Sequence, residues 1–473
     1  MKKLSFLFVI VFSVSPCVFG LETPEQSVQI GVRGAVSTDE QLPTWLVGNR
    51  RGLYQTEQHQ LTSELRWNYE QRFTPFWSLA GEFLIQGAIS EDAALRLPIG
   101  FLAVEGGPFV LHGGRFPLML GELPVPALSS GSMSVSLNAM AIPRITGRTA
   151  GFIPIPWLPN RVQTKFGLSH GWFEENRATA SPLLHEKWLY LRFAEEGSFS
   201  IYGGLVHQVM WSGENQQGNT VPVDLENFWR VFLNRSGGSD ASVSDQLNKV
   251  GNALGIWDLG FSVSLGSAVL SVYYHHYFEL ASSFNKWSNG LDGLRGASLE
   301  IDHGLFWVPS ELLFESLYTA YQGGPYHDLG AFGEPETLLF GRQSYYQNSA
   351  YPSGWTYLDR VVGTPLILTS GEGSERRISS NRLEAYHFGF SGDIPRGLGY
   401  RFLWTGVAHR SPYTSKPLDI QGSTWQYDTL FEITFEKPFG VERLSGSLGF
   451  AHSFGDLNTL SYGLVTGLVV ELF

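Results

Sequence analysis

The stretch that decides the fold is Trp425–Glu436, WQYDTLFEITFE. Its odd positions, Trp425, Tyr427, Thr429, Phe431, Ile433 and Phe435, are aromatic or apolar apart from one threonine. Its even positions, Gln426, Asp428, Leu430, Glu432, Thr434 and Glu436, are polar apart from one leucine. Successive side chains of a strand point to opposite faces, so the segment has one greasy face and one charged face. Beyond Lys437-Pro438-Phe439-Gly440 the rhythm returns, with Leu444, Leu448, Phe450 and Phe454 against Arg443, Ser445, Ser447 and Ser453. A third run carries Leu460, Tyr462, Leu464, Leu468, Val470 and Leu472. Consecutive hairpins with one lipid-compatible face predict an all-β, transmembrane antiparallel barrel. Phe473 is out of phase with the Leu460–Leu472 series, which places it past the last ladder pair.

Working outward, the same alternation recurs. Leu61, Ser63, Leu65, Trp67 and Tyr69 oppose Thr62, Glu64, Arg66, Asn68 and Glu70. Trp257, Leu259, Phe261, Val263 and Leu265 oppose Asp258, Gly260, Ser262 and Ser264, and Leu270, Val272, Tyr274, His276 and Phe278 follow across Gly266-Ser267. Leu398, Tyr400, Phe402 and Trp404 alternate with Arg401 and Thr405. Strands of about ten residues suit a tilted bilayer crossing, and a closed bacterial barrel has an even strand number, so the expectation is about 18 strands. A secreted β-sandwich or propeller would also alternate. Long strands with Trp and Tyr near their ends favour the membrane barrel. Short connections at Phe73-Thr74-Pro75, Gly266-Ser267, Asp393 to Arg396 and Glu436 to Gly440 read as periplasmic turns. Three long ones, roughly 114–160, 212–251 and 322–380, are expected outside the cell or folded into the lumen, where they would occlude it.

Lys2 and Lys3 followed by the apolar run Leu4 to Val14 predict a cleaved signal peptide over residues 1–20, with 21–473 forming the barrel domain. Cleavage near Gly20 would remove Cys17, the only cysteine, and Pro16 before it argues against lipidation. Charged residues are 16% and aromatics 14%, and no segment after the leader approaches the roughly eighteen apolar residues of a membrane helix. The formal net charge of −12 becomes −14 once the two leader lysines leave, which argues against nucleic acid as a partner. The expected setting is the Gram-negative outer membrane, the expected partners its lipid and a surface ligand, and the expected state a monomer.

No catalytic constellation emerges. His275 and His276 are adjacent and would point to opposite faces of a strand, and the remaining histidines lack ligand spacing, so neither metal nor cofactor is expected. Ser129-Ser130-Gly131-Ser132 has no nucleophile-elbow pattern, and Gly371-Glu372-Gly373-Ser374 is no phosphate loop. The long connections are richer. One holds Trp211, Glu214, Asn215, Gln216, Gln217, Asn227, Phe228, Trp229, Arg230 and Arg235; another holds Arg342, Gln343, Tyr345, Tyr346, Gln347, Asn348, Trp355, Tyr357, Asp359 and Arg360. Flat aromatic faces beside amides and guanidinium groups suit the C–H faces and hydroxyls of a sugar polymer. The same side chains would equally pack loops into a barrel mouth, and composition is compatible with both.

At these residues the sequence resembles the outer-membrane capsule assembly family of the Wzi type. The likeness runs through Gly113-Gly114-Arg115-Phe116-Pro117, Leu128-Ser129-Ser130-Gly131-Ser132 to Ile142-Pro143, and Ser169-His170-Gly171-Trp172-Phe173. It continues through Leu184-His185-Glu186-Lys187, Met210-Trp211-Ser212-Gly213, Asn227-Phe228-Trp229 and Tyr345-Tyr346-Gln347-Asn348, and ends with Tyr351-Pro352-Ser353-Gly354-Trp355 and Gly363-Thr364-Pro365-Leu366. The resemblance implies an 18-stranded barrel blocked by inserted loops that retains capsular or exopolysaccharide without catalysis. The best-known members carry an N-terminal helical bundle, whereas here alternation begins by about Ser27. On this reading the polysaccharide-binding candidates are Trp211, Trp229, Arg235, Tyr345, Tyr346, Trp355 and Arg360. The alternative is a porin for small polar or sugar solutes, its conductance tuned by Glu64, Arg66, Glu432 and Arg443.

Overall fold

Residues 24–90, 93–195, 197–215, 221–235, 250–279, 281–323, 325–328, 337–340, 343–410, 423–457 and 460–473 are described by the structure, a computed structural model. The expected leader, with Cys17, and the loop residues Gln216, Gln217 and Arg342 lie outside them.

One antiparallel sheet closes on itself. Its strands are β1 (Glu25–Gln41), β2 (Glu57–Arg72), β3 (Trp77–Ile89), β4 (Ala93–Gly106), β5 (Phe109–Arg115), β6 (Arg144–Thr149, continued by Ile153–Pro154), β7 (Val162–Trp172), β8 (Leu183–Glu195) and β9 (Phe199–Trp211). They continue as β10 (Asn252–Leu265), β11 (Ala268–Phe278), β12 (Gly293–Ile301), β13 (Glu311–Tyr318), β14 (Leu383–Ile394), β15 (Leu398–Arg410), β16 (Ser423–Glu436), β17 (Leu444–Gly455) and β18 (Ser461–Glu471). Both pieces of β6 pair with β7, so they count as one stave and the barrel has 18. Each strand pairs with its neighbour in sequence, and β1 pairs antiparallel with β18 from Gln29↔Glu471 to Ser37↔Gly463. An even strand count is what lets an up-and-down sheet close antiparallel, which leaves no edge.

The alternation in Trp425–Glu436 sorts as its chemistry demands. Trp425 and Phe431 are 37% and 44% exposed on the outside, while Gln426, Asp428, Leu430 and Glu432 are buried inside. Leu448, Phe450, Leu464 and Leu468 extend the outer apolar surface, and Ser453, Ser461 and Val465 line the inside. A soluble fold would not leave this continuous apolar belt in water; a bilayer accepts it because the closed ladder satisfies every strand's backbone. Phe473 lies just beyond the last ladder pair, its carbonyl accepting from the Val28 amide at 3.1 Å.

Up-and-down order sends alternate connections to opposite ends. The short links at 73–76, 266–267, 395–397 and 437–443 share the end that holds both chain termini. The long ones, 116–143, 212–251 and 319–382, share the other end with 42–56 and 279–292. The first long connection, expected at 114–160, is shorter: Gly114 and Arg115 end β5, and Arg144–Thr149 and Ile153–Pro154 belong to the wall, where Arg144 and Thr146 alternate inward.

Candidate functional site

Inward-facing polar residues hold the connection 116–143 inside the barrel from several sides. On β10, Asp258 accepts the Glu122 amide at 2.7 Å. On β13, Glu315 accepts the Ser129 hydroxyl at 2.6 Å and the Ser130 amide at 2.7 Å, with the Ser130 hydroxyl at 2.5 Å. On β14, His387 Nε2 lies 2.6 Å from the Leu128 carbonyl, and on β15 Arg401 donates to the Ala127 carbonyl at 2.7 Å. These partners lie on β10 to β15, across the barrel from β5 and β6, where the segment begins and ends, so it crosses the interior. Leu120, Leu123, Val125, Leu128, Met133 and Val135 are buried with it. Ser129 and Ser130, uninterpretable as a nucleophile, are thus the hydroxyl donors that satisfy a buried carboxylate.

Two further connections build on it. The loop after β1 contains a short helix, α1 (Thr44–Val47). Trp45 there donates to Thr405 at 3.0 Å, and Arg50 meets Glu432 at 2.7 Å. In the loop between β13 and β14, Thr364 donates to the Ser130 carbonyl at 2.9 Å and Asn138 to that of Val361 at 2.9 Å. Tyr346 donates to the Met133 carbonyl. Gly363 makes this approach possible: a Cβ there would stand 2.0 Å from the Tyr346 hydroxyl and 2.5 Å from the Met133 carbonyl oxygen.

The seven sequence candidates separate into four places. Tyr345, Tyr346 and Trp355 are all 0% exposed within the interior packing. The Tyr345 hydroxyl donates to Asp292 at 2.8 Å, and the Tyr346 amide to Glu279 at 3.1 Å. Burial pushes Glu279 up to about 8 and Asp292 to about 6. Trp211, at 1%, packs with Val209, Val221, Val231 and Val250. These four rings have no free face for a sugar; aromatic composition marked buried packing here. Trp229, 53% exposed, lies on the helix α2 (Leu225–Phe232), with the exposed Arg235 just after it. Arg360 alone reaches a cleft.

That cleft lies at the mouth on the long-loop side, with a volume of ≈ 830 Å³. Its walls come from the loop after β1, the 358–379 part of the loop after β13, and the upper ends of β4, β15 and β16. Arg360 spans two of these, donating to the carbonyls of Val47 at 2.8 Å and Tyr54 at 2.6 Å. Burial, and then the nearby Arg96, push its guanidinium down to about 10. Arg376 is occupied by Asp359 at 2.8 Å and Thr369 at 2.9 Å. By contrast, Arg96 Nε and Nη2, Glu57 Oε2 and Gln55 Oε1 are buried without a hydrogen-bond partner among the described residues. Sequence reasoning missed these three. The signal for Arg96 was present in Leu95-Arg96-Leu97, where two outward leucines, 80% and 42% exposed, flank one inward charge.

The charges proposed to tune a pore are engaged. Glu64 pairs with Arg33 at 2.7 Å, Arg66 with Glu82 at 2.8 Å, and Glu432 with both Arg50 and Arg401. Arg443 is exposed in the 437–443 turn, not on a lumen face.

No protein-family model matches the chain, and no curated protein matches it in sequence. Solved structures do match in fold. Wzi of Escherichia coli, a carbohydrate-binding β-barrel of the outer membrane involved in group 1 capsule assembly, aligns with TM-score 0.57 and 14% identity over 93% of this chain and 84% of its own. OccK5 (OpdH) of Pseudomonas aeruginosa aligns at 0.48 and 8% over 96% of this chain and 100% of its own. OccD3 (OpdP) of the same organism aligns at 0.47 and 8%, over 95% and 92%. The resemblance read from the sequence and the likeness in fold therefore meet on the same protein type: this chain is a closed, 18-stranded barrel of the Gram-negative outer-membrane kind, similar in fold to Wzi.

Proposed function

We propose that this barrel anchors a surface polysaccharide at its extracellular mouth, without catalysis, while its own connections fill the lumen. The observation that carries the reading is the set of unpaired polar atoms in the cleft wall. Buried donors and acceptors without partners are costly, and native proteins leave few of them unless water or a ligand completes them. Arg96 offers donors; Glu57 and Gln55 offer acceptors. A ligand meeting both must donate and accept at close spacing, which a sugar's hydroxyls do. Arg360 shapes the site by holding two of its walls together. Tyr345, Tyr346 and Trp355 contribute from behind, by fixing the loops, whereas Trp211 packs beside α2 and away from the cleft. That Wzi, similar in fold, is a carbohydrate-binding barrel involved in capsule assembly supports the same direction.

The interior hydrogen bonds favour an anchor over a diffusion pore, since the loop segments occupy the partners a water-filled channel would leave to solvent. The proposal includes removal of a leader ending near Gly20 and a monomer in the bilayer. Deleting the gene and weighing cell-attached against released polysaccharide tests it. Attachment falls in the deletion strain and returns on complementation; unchanged attachment rejects the anchor.

A further inference from the structure

The outer wall of β7 to β11 is polar where it nears the extracellular end. His170 pairs with His185, His185 with Val209, Lys187 with His207, and Trp257 with His276. Period-two alternation puts these residues on the same face as Leu168, Leu189, Ile201, Leu259 and Val272, which are 40–54% exposed to the outside. Yet His185, His207 and His276 are buried. They are covered from outside the barrel. Phe228 and Phe232 of α2 both lie 5.6 Å from the His185 ring, and Lys187 Nζ stands 4.8 Å from the centre of the Phe232 ring. Trp287 stacks on His276 at 4.1 Å, nearly parallel, and Phe284 stacks on Trp257 at 5.1 Å.

The helix α2 thus lies against the outer wall rather than over the mouth. Asn227, Phe228, Val231 and Phe232 turn toward the wall. Leu225, Trp229 and Leu233, spaced four apart, share the opposite face and are 78%, 53% and 51% exposed, with Val223 before them at 68%. A helix apolar on both sides does not belong in water. The belt shows what lies beyond it. On β8 the outward residues from Leu189 to Phe193 are apolar and Lys187 ends the run. At about 3.4 Å per residue and a strand tilt near 40°, the nine residues Lys187 to Glu195 rise only about 20 Å, short of an apolar band about 25 Å tall. The helix and the Phe284–Trp287 segment supply the missing height. They bury the polar stripe, and α2 offers its own apolar stripe outward, continuous with the belt.

We infer that Leu225 and Trp229 on α2, with Leu233 at its C-terminal cap, contact the acyl chains of the outer leaflet, making this extracellular helix a lipid-docking element on the barrel's outside. Arg230, paired with Glu226 at 2.5 Å, flanks the stripe at headgroup level. Trp229 then serves the membrane, not the sugar, and this holds whether or not the barrel anchors polysaccharide.

The test places a polarity-sensitive fluorophore on Trp229→Cys in a Cys17→Ser background, using full-length protein reconstituted in phosphatidylcholine vesicles. Leu189→Cys on the belt and Asp359→Cys at the mouth are the references, and heat-modifiable gel migration checks that each variant is folded. A nitroxide lipid labelled near the carbonyl end of its acyl chain quenches the Trp229 and Leu189 positions severalfold more than aqueous iodide does, and the Asp359 position the other way round. Iodide quenching of the Trp229 position like that of Asp359 overturns the inference. So does a label that neither reagent reaches, whether a second copy, detected by cross-linking, or the chain's own loops cover it.

Discussion

Arg360 donates from Nη2 to the carbonyl of Tyr54 at 2.6 Å, tying the loop after β13 to the loop after β1 across the mouth. Its second bond, to Val47 at 2.8 Å, closes a fork that only a guanidinium makes. Hydrogen bonds from a charged donor contribute about 1.5–3 kcal/mol each. Arg360→Ala is therefore expected to loosen both mouth loops and weaken polysaccharide binding, with Arg360→Lys recovering only part. Limited proteolysis of the folded protein reads the loops; equal protease resistance in Arg360→Ala and the parent contradicts the bridging role.

Glu315 is the interior's principal latch. Its removal leaves the Ser129 hydroxyl, both Ser130 donors and the Tyr273 hydroxyl unpaired, at about 1–3 kcal/mol per buried group. Glu315→Ala should keep the barrel, whose ladder does not depend on it, yet release segment 116–143. In a planar bilayer the parent is expected to be silent and the variant to show fluctuating conductance. A large stable current from the parent itself supports the porin reading instead.

Glu279 makes the loop of Tyr345 and Tyr346 sensitive to pH. Its pKa in the folded protein is raised from 4.5 to about 8, and that of Asp292 from 3.8 to about 6, both by burial. A raised carboxyl binds more protons folded than unfolded, so stability is full below about pH 4 and falls as pH climbs toward about 8. Protection of the Ser344 and Tyr346 amides, corrected for intrinsic exchange, should therefore decline from pH 5 to pH 9, and Glu279→Gln should flatten the decline. Protection that rises with pH excludes this assignment.

Tyr345 separates packing from binding. Tyr345→Phe removes the hydroxyl shared by Asp292 and Asn289, a loss of about 1–3 kcal/mol of stability, and should leave polysaccharide affinity unchanged because the ring is buried. Thermal unfolding followed beside a binding titration shows the split. An affinity loss without a stability loss would restore Tyr345 as a sugar contact.

Strand alternation made the barrel legible in Trp425–Glu436 and the runs that repeat it, because lipid on one side and packed loops on the other impose period two; it slips only at irregularities such as that between Leu84 and Gln86. The opposite faces of His275 and His276 followed from the same rule: His275 lies inside, 3.2 Å from the Glu122 carbonyl, and His276 stacks outside on Trp287. Loop chemistry was less legible. Tyr345, Tyr346 and Trp355 look like stacking platforms in sequence, but a loop folded into a lumen makes its own core, and aromatic residues are what a core uses. Gln55 and Glu57 lie where the loop after β1 enters β2, and Arg96 lies on β4; the β2–β3–β4 meander brings them to one cleft, which the alternation of a single strand does not show.

The most direct test is a binding titration of purified surface polysaccharide from the producing organism against the reconstituted barrel and its Arg96→Gln variant. A single guanidinium facing hydroxyls is expected to contribute about 1.5–3 kcal/mol, or roughly tenfold to a hundredfold in affinity. Saturable binding by the parent with that loss in the variant is the predicted result. No binding by the parent, or equal binding by a folded Arg96→Gln barrel, contradicts a polysaccharide site in the mouth cleft.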